Sequence, residues 1–109
     1  MGDTRRIIDV LVAARALVAQ GWCQGASERG YDVAGNEVWW SACDPSVVTR
    51  HYCMLGALRI ANSGDKFPNA CMVLMQPADI TRWNDTPGRT QAEVLALFDA
   101  AIARQQATL

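Results

Sequence analysis

The chain has 109 residues, half of them apolar, and a formal net charge of −1. A chain of that length forms one domain, burying about two-thirds of its unfolded surface without staples. Its charges are scattered, with Lys66 the single lysine, which excludes the basic stripe that tracks a phosphate backbone, and no apolar run approaches the ~20 residues of a bilayer span.

The first element predicted is a helix from about Thr4 to Gln20, capped by Asp3 and stopped by Gly21. Ile7, Ile8, Leu11, Ala14 and Val18 form its apolar face, with Arg5, Arg6, Asp9, Ala13, Ala16 and Gln20 opposite. Asp3, Arg5 and Arg6 precede the apolar run and Arg15 breaks it, so it does not read as a signal peptide, and a soluble cytoplasmic protein is expected. Arg15 sits beside Ile8 and Leu11 on the wheel. The ordinary reading is a snorkelling side chain at the stripe edge. The alternative is a ligand-facing or buried Arg, which requires an acid partner, with Asp85 as the candidate.

From Gly21 to Cys43 the pattern is irregular. Gly21, Gly25, Gly30 and Gly35 recur among Asp32 and Asn36, which suits neither a long helix nor a long strand. A helical turn around Ala26 to Arg29 and an extended piece at Glu37 to Ser41 are predicted within a long loop anchored by Trp22, Trp39 and Trp40.

Asp44 to Gly64 reads as the central buried helix. Asp44 caps it, Pro45 suits its first position, and Asn62, Ser63 and Gly64 close it. Val48, Tyr52, Leu55 and Leu58 fall on one side and Cys53, Gly56, Ala57 and Ile60 on the other, a helix apolar nearly all round. Pro68 then opens a short helix through Ala70, Cys71, Val73 and Leu74, which Pro77 ends; a buried strand would also suit Cys71 to Met75, since periodicity does not separate the two in so short a run, and helix is the preferred reading. Thr86-Pro87-Gly88-Arg89 suits a type II turn. Thr90 and Glu93 form a capping box that starts the last helix, with Val94, Leu95, Phe98, Ala101 and Ile102 buried and fraying from Gln105. The expected fold is mainly α: a single domain over residues 1–109, a compact bundle of three to four helices around the central helix at about 44–63, with a long Gly/Trp-rich loop between the first two helices.

Candidate chemistry is sparse. The four cysteines show no C-x-x-C and no tight pair, and read as reduced thiols with no disulfides. Cys53 and His51, two apart on a helix, would face away from each other and form no dyad, leaving Cys53 as a small core residue beside Gly56 and His51 as a hydrogen-bonded structural residue. Cys43, just before the helix cap, is the better candidate for a reactive thiol. Cys43, His51, Cys53 and Cys71 lack metal-ligand spacing, no phosphate-loop motif is present, and neither metal nor cofactor is implied.

The strongest polar constellation is Arg82, Trp83, Asn84, Asp85, Arg89 and Thr90. Asn84 and Asp85 can simply fix their own turn while Trp83 covers the last helix. Alternatively Trp83, Asn84, Asp85 and Arg89 converge with Trp22, Gln24 and Arg15 on a pocket for a ligand.

Three blocks, Trp22-Cys23-Gln24-Gly25-Ala26, Cys53-Met54-Leu55-Gly56-Ala57-Leu58 and Trp83-Asn84-Asp85 with Arg89-Thr90 and Glu93-Val94, resemble a family of small bacterial and bacteriophage proteins, common in actinobacteria and their phages and catalogued as a domain of unknown function. The resemblance runs from about Val10 to Ile102, departing at Cys23 and the doubled Trp39-Trp40. It implies one mostly helical, cytoplasmic domain, and no activity, ligand or catalytic residue. The leading expectation is a binding protein, a phage or bacterial accessory factor holding a partner protein or a small polar, nucleotide-derived ligand at Trp22 and Trp83-Asn84-Asp85. The rivals are a thiol enzyme using Cys43 or Cys53, and a structural homodimer module. Neither nucleic acid nor membrane is expected as a partner.

Overall fold

The computed structural model describes residues 2–38, 45–62 and 67–109. Helix α1 (Gly2–Gln20) covers the expected span but takes in Asp3, the expected cap, within its first turn; it is the element the others gather on, packing against helices α2 (Met54–Ala61), α3 (Phe67–Leu74) and α5 (Gln91–Gln106). The reason is its stripe. Leu11, Ala14 and Val18 are fully buried, and the core continues through Met54, Ala57 and Leu58 of α2, Ala70 and Cys71 of α3, and Val94, Phe98 and Ala101 of α5. Ala13 and Ala16, on the opposite face, stay exposed.

The long loop and the long central helix are both corrected by a small antiparallel sheet. Strands β1 (Glu28–Tyr31), β2 (Glu37–Val38) and β3 (Thr49–Tyr52) lie in the order β2-β1-β3. The Ala26 to Arg29 turn is therefore absent as a helix. Asp32 closes the β1–β2 hairpin through its carboxylate, which accepts from the Ala34 and Asn36 amides at 3.0 and 2.9 Å. The expected extended piece at Glu37 survives as β2, while its Trp39-to-Ser41 part lies outside the described residues.

Helix α2 begins at Met54, about ten residues later than the sequence suggests, because Thr49 to Tyr52 pair with β1 instead of coiling. Val48, placed on a buried helix face, is 61% exposed. Local apolar content cannot choose between strand and helix here, and a free strand edge decides it. Asp44, the expected cap, lies outside the described residues, and Cys53 caps the helix in its place, its sulfur accepting from the Gly56 amide.

Helix α3 forms as expected. Pro77 ends nothing further: it opens α4 (Pro77–Asn84) at the first helical position, where its missing N–H costs no hydrogen bond. That helix carries little sequence signal, since among its described side chains Ile80, Trp83 and Asn84 are the ones turned inward. The turn after it is the expected type II, with Gly88 at φ +84° and the Arg89 amide donating to the Thr86 carbonyl at 3.0 Å. The Thr90–Glu93 capping box is present in full at the start of α5. Among the described residues the chain thus forms five helices and a three-stranded sheet, and no described helix is long and apolar enough to cross a membrane.

Candidate functional site

Three stretches of chain meet at the end of α4: the exit from α1, the junction of β3 with α2, and the Asn84-Asp85 corner. After α1 the chain runs briefly parallel to β3. The Tyr52 amide donates to the Gly21 carbonyl at 2.9 Å and the Cys23 amide to the Tyr52 carbonyl at 3.2 Å, a parallel bridge pairing Trp22 with Tyr52. Gly21 is buried there for steric room and not as a left-handed helix stop. A β-carbon on it would lie 2.2 Å from the His51 ring.

Asn84 occupies the middle. It is fully buried, and its side-chain oxygen accepts from the Trp22 indole at 2.7 Å and from the Met54 amide at 3.1 Å. Its amide nitrogen donates to the Cys23 carbonyl at 3.1 Å and to the Asp85 carboxylate at 3.0 Å. Both donor protons and both acceptor sites are used, which a buried primary amide requires. Met54 is the first residue of α2, so Asn84 satisfies one of that helix's orphan amides from another element.

Gln24 fastens the same corner, donating to the Asn84 and Thr86 carbonyls at 2.9 and 3.0 Å. Asp85 accepts from the Gly25 amide at 3.0 Å. The Ser27 carbonyl lies against the start of α2, accepting from the Cys53 amide at 3.0 Å, and a β-carbon at Gly56 would sit 2.2 Å from that oxygen. The three sequence blocks that carry the family resemblance are therefore the three walls of one junction.

The expected ligand-facing set separates into three groups. Trp22, Gln24, Asn84 and Asp85 do come together, but Trp22 and Asn84 turn their polar groups on each other and Gln24 is spent on backbone carbonyls. Trp83 and Arg89 form a second unit: the Arg89 guanidinium stacks 3.8 Å from the Trp83 ring centroid, donates to the Trp83 carbonyl at 3.1 Å and reaches Glu93 at 3.3 Å. Arg15 belongs to neither. It pairs with Asp99 of α5 at 2.5 and 3.2 Å and not with Asp85, because both lie along the α1–α5 contact.

Beside the knot is a cleft of about 220 Å³ lined by Gly25, Ala26, Ser27, Cys53, Thr81 and Asp85. Of these only Asp85 belonged to the expected set. Ser27 and Thr81 carry no sequence signal, and Thr81 is on the helix that the sequence did not reveal.

His51 is on β3, its ring 4.6 Å from that of Tyr31, so the argument that kept it from Cys53 across a helix no longer applies. Cys53 stands at the N-terminus of α2. Burial nevertheless raises its thiol above the ordinary value, against the lowering effect of the Gly56 and Leu55 amides. Burial likewise pushes Cys23 and Cys71 up to about 11. Cys43 lies outside the described residues. Among the described residues no three His, Cys, Asp or Glu side chains group as a metal site.

A model of a family described as being of unknown function, DUF6197, matches residues 3–104. No curated protein and no solved structure matches the chain.

Proposed function

We propose that this chain, which belongs to the family of unknown function DUF6197, is a small binding protein that holds a polar ligand bearing hydrogen-bond donors in the cleft beside Asp85. The observation that carries this reading is the way the Asp85 carboxylate is fixed. One oxygen takes both the Gly25 amide and the Asn84 side chain, which sets the orientation of the group at the cleft wall, with Ser27 and Thr81 on the same lining.

An oriented carboxylate flanked by hydroxyl-bearing residues suits an ammonium, a guanidinium or a sugar hydroxyl. A nucleotide-derived ligand would present its ribose or an exocyclic amine here and keep its phosphate in solvent, away from the negative charge of Asp85. The raised Cys53 thiol argues against the rival of a thiol enzyme, since burial leaves little thiolate for turnover near neutral pH. The resemblance to small actinobacterial and phage proteins supports the setting of a cytoplasmic accessory factor.

Native mass spectrometry of the protein taken directly from cells tests the reading. The expected result is a mass excess lost on denaturation and absent from Asp85→Asn. A clean wild-type mass, or an excess kept in full by the folded variant, overturns the assignment to this cleft.

A further inference from the structure

We propose that Cys23 and Cys53 are a redox pair, joined by a reversible intramolecular disulfide when the protein meets a peroxide. The inference is independent of what the cleft binds.

The register places them together. Trp22 and Tyr52 are partners in a parallel bridge, held by hydrogen bonds on both sides of Tyr52. The next residue on each strand is a cysteine, and Cys53 is still extended, with φ −79° and ψ 170°. Neighbouring strands run about 4.8 Å apart, inside the separation of about 4.4–6.8 Å between α-carbons that a disulfide accepts. The preceding pair confirms both the register and the face. Gly21 and His51 stand side by side so closely that a β-carbon on Gly21 would meet the His51 ring, and alternation along a strand puts residues 23 and 53 on the same side as residues 21 and 51. The Cys53 thiol also contributes, after burial, to the raised pKa of Cys23, as a close neighbour does.

The two sulfurs are not equivalent. Cys53 lines the cleft and is the one a peroxide reaches, while Cys23 is not among the lining residues and donates its thiol to the Ala26 carbonyl at 3.4 Å. The Cys53 thiolate attacks one peroxide oxygen, the O–O bond breaks, and a sulfenic acid and water result. The Cys23 sulfur then attacks the Cys53 sulfur, the S–O bond breaks, and a second water leaves. Two thiols lose two electrons and two protons, and the peroxide is reduced to two waters. Because burial raises both thiols, the first step accelerates from about pH 7 to about pH 9.

Trypsin separates the four cysteines into different peptides: Cys23 in 16–29, Cys43 in 30–50, Cys53 in 51–59 and Cys71 in 67–82. The folded full-length protein is treated with hydrogen peroxide, alkylated and digested without reductant. The expected product is a 16–29/51–59 linked peptide, formed faster at the higher pH and abolished by a thiol reductant. Cys71→Ser should leave the link intact. Recovery of 16–29 and 51–59 as separate peptides after their cysteines have oxidised overturns the proposal, as does preferential linkage of either to 30–50 or 67–82. The wild-type map decides the matter even if a Cys23→Ser variant fails to fold.

Discussion

The Trp22 indole N–H donates to the side-chain oxygen of Asn84 at 2.7 Å, across 62 positions of sequence. This bond ties the exit of α1 to the last turn of α4, and it consumes the polar edge of both residues. The aromatic and amide groups that look most like a ligand-binding set are therefore what hold the junction closed, and the adjoining Asp85 is left to line the cleft.

Asn84→Leu fills similar volume but strands the Trp22 indole N–H, the Met54 amide and the Cys23 carbonyl, each bonded to Asn84 in the folded protein. A stranded buried group costs about 1–3 kcal/mol, so the variant should lose about 3 kcal/mol or more in urea unfolding. Adding Trp22→Phe removes one orphan donor, and the double variant should fall short of the sum of the singles. Strict additivity would count against the bond.

Gly21→Ala and Gly56→Ala both insert a β-carbon 2.2 Å from an existing atom. At Gly21 the atom belongs to the His51 side chain, which can rotate; at Gly56 it is the Ser27 backbone carbonyl, which cannot. Overpacking of this kind costs about 1–3 kcal/mol, and the Gly56 variant should be the worse in thermal melts. His51→Ala should rescue Gly21→Ala and leave Gly56→Ala unchanged.

The Arg15–Asp99 pair is open to water, its side chains 36% and 55% exposed. Solvent screening leaves such a pair little net contribution to stability. Asp99→Asn should barely shift the urea midpoint, the shift should shrink further in salt, and any co-purified ligand should be retained. Loss of ligand with retained stability would return Arg15 to the binding site.

Glu93 is held below the usual carboxylate range by the Thr90 amide and hydroxyl, with Arg89 adding a smaller effect. A carboxylate depressed in the folded state stabilises fully above its unfolded pKa of about 4.3 and loses that contribution as pH falls through the lower folded value. Acid titration followed by circular dichroism should show this limb in the wild type and a flatter one in Glu93→Gln. Thr90→Ala, which removes the cap itself, should cost about 1 kcal/mol near neutral pH.

What the sequence determines by itself is whatever rests on neighbours along the chain. The stripe of Leu11, Ala14 and Val18, the Thr86–Arg89 turn, the Thr90–Glu93 box and the face of Val94, Phe98 and Ala101 all follow from spacings of one to four residues, and all are found in place. Tertiary structure alone decided that Thr49 to Tyr52 extend, because their partners are Glu28 to Tyr31, about twenty residues upstream. It likewise decided that Cys53 caps a helix, that Arg15 meets Asp99, and that Asn84 is a buried hub and not a turn residue. A backbone edge or a primary amide exposes its preference only once the far group arrives, and nothing in the local pattern of apolar and polar residues records where that group will be.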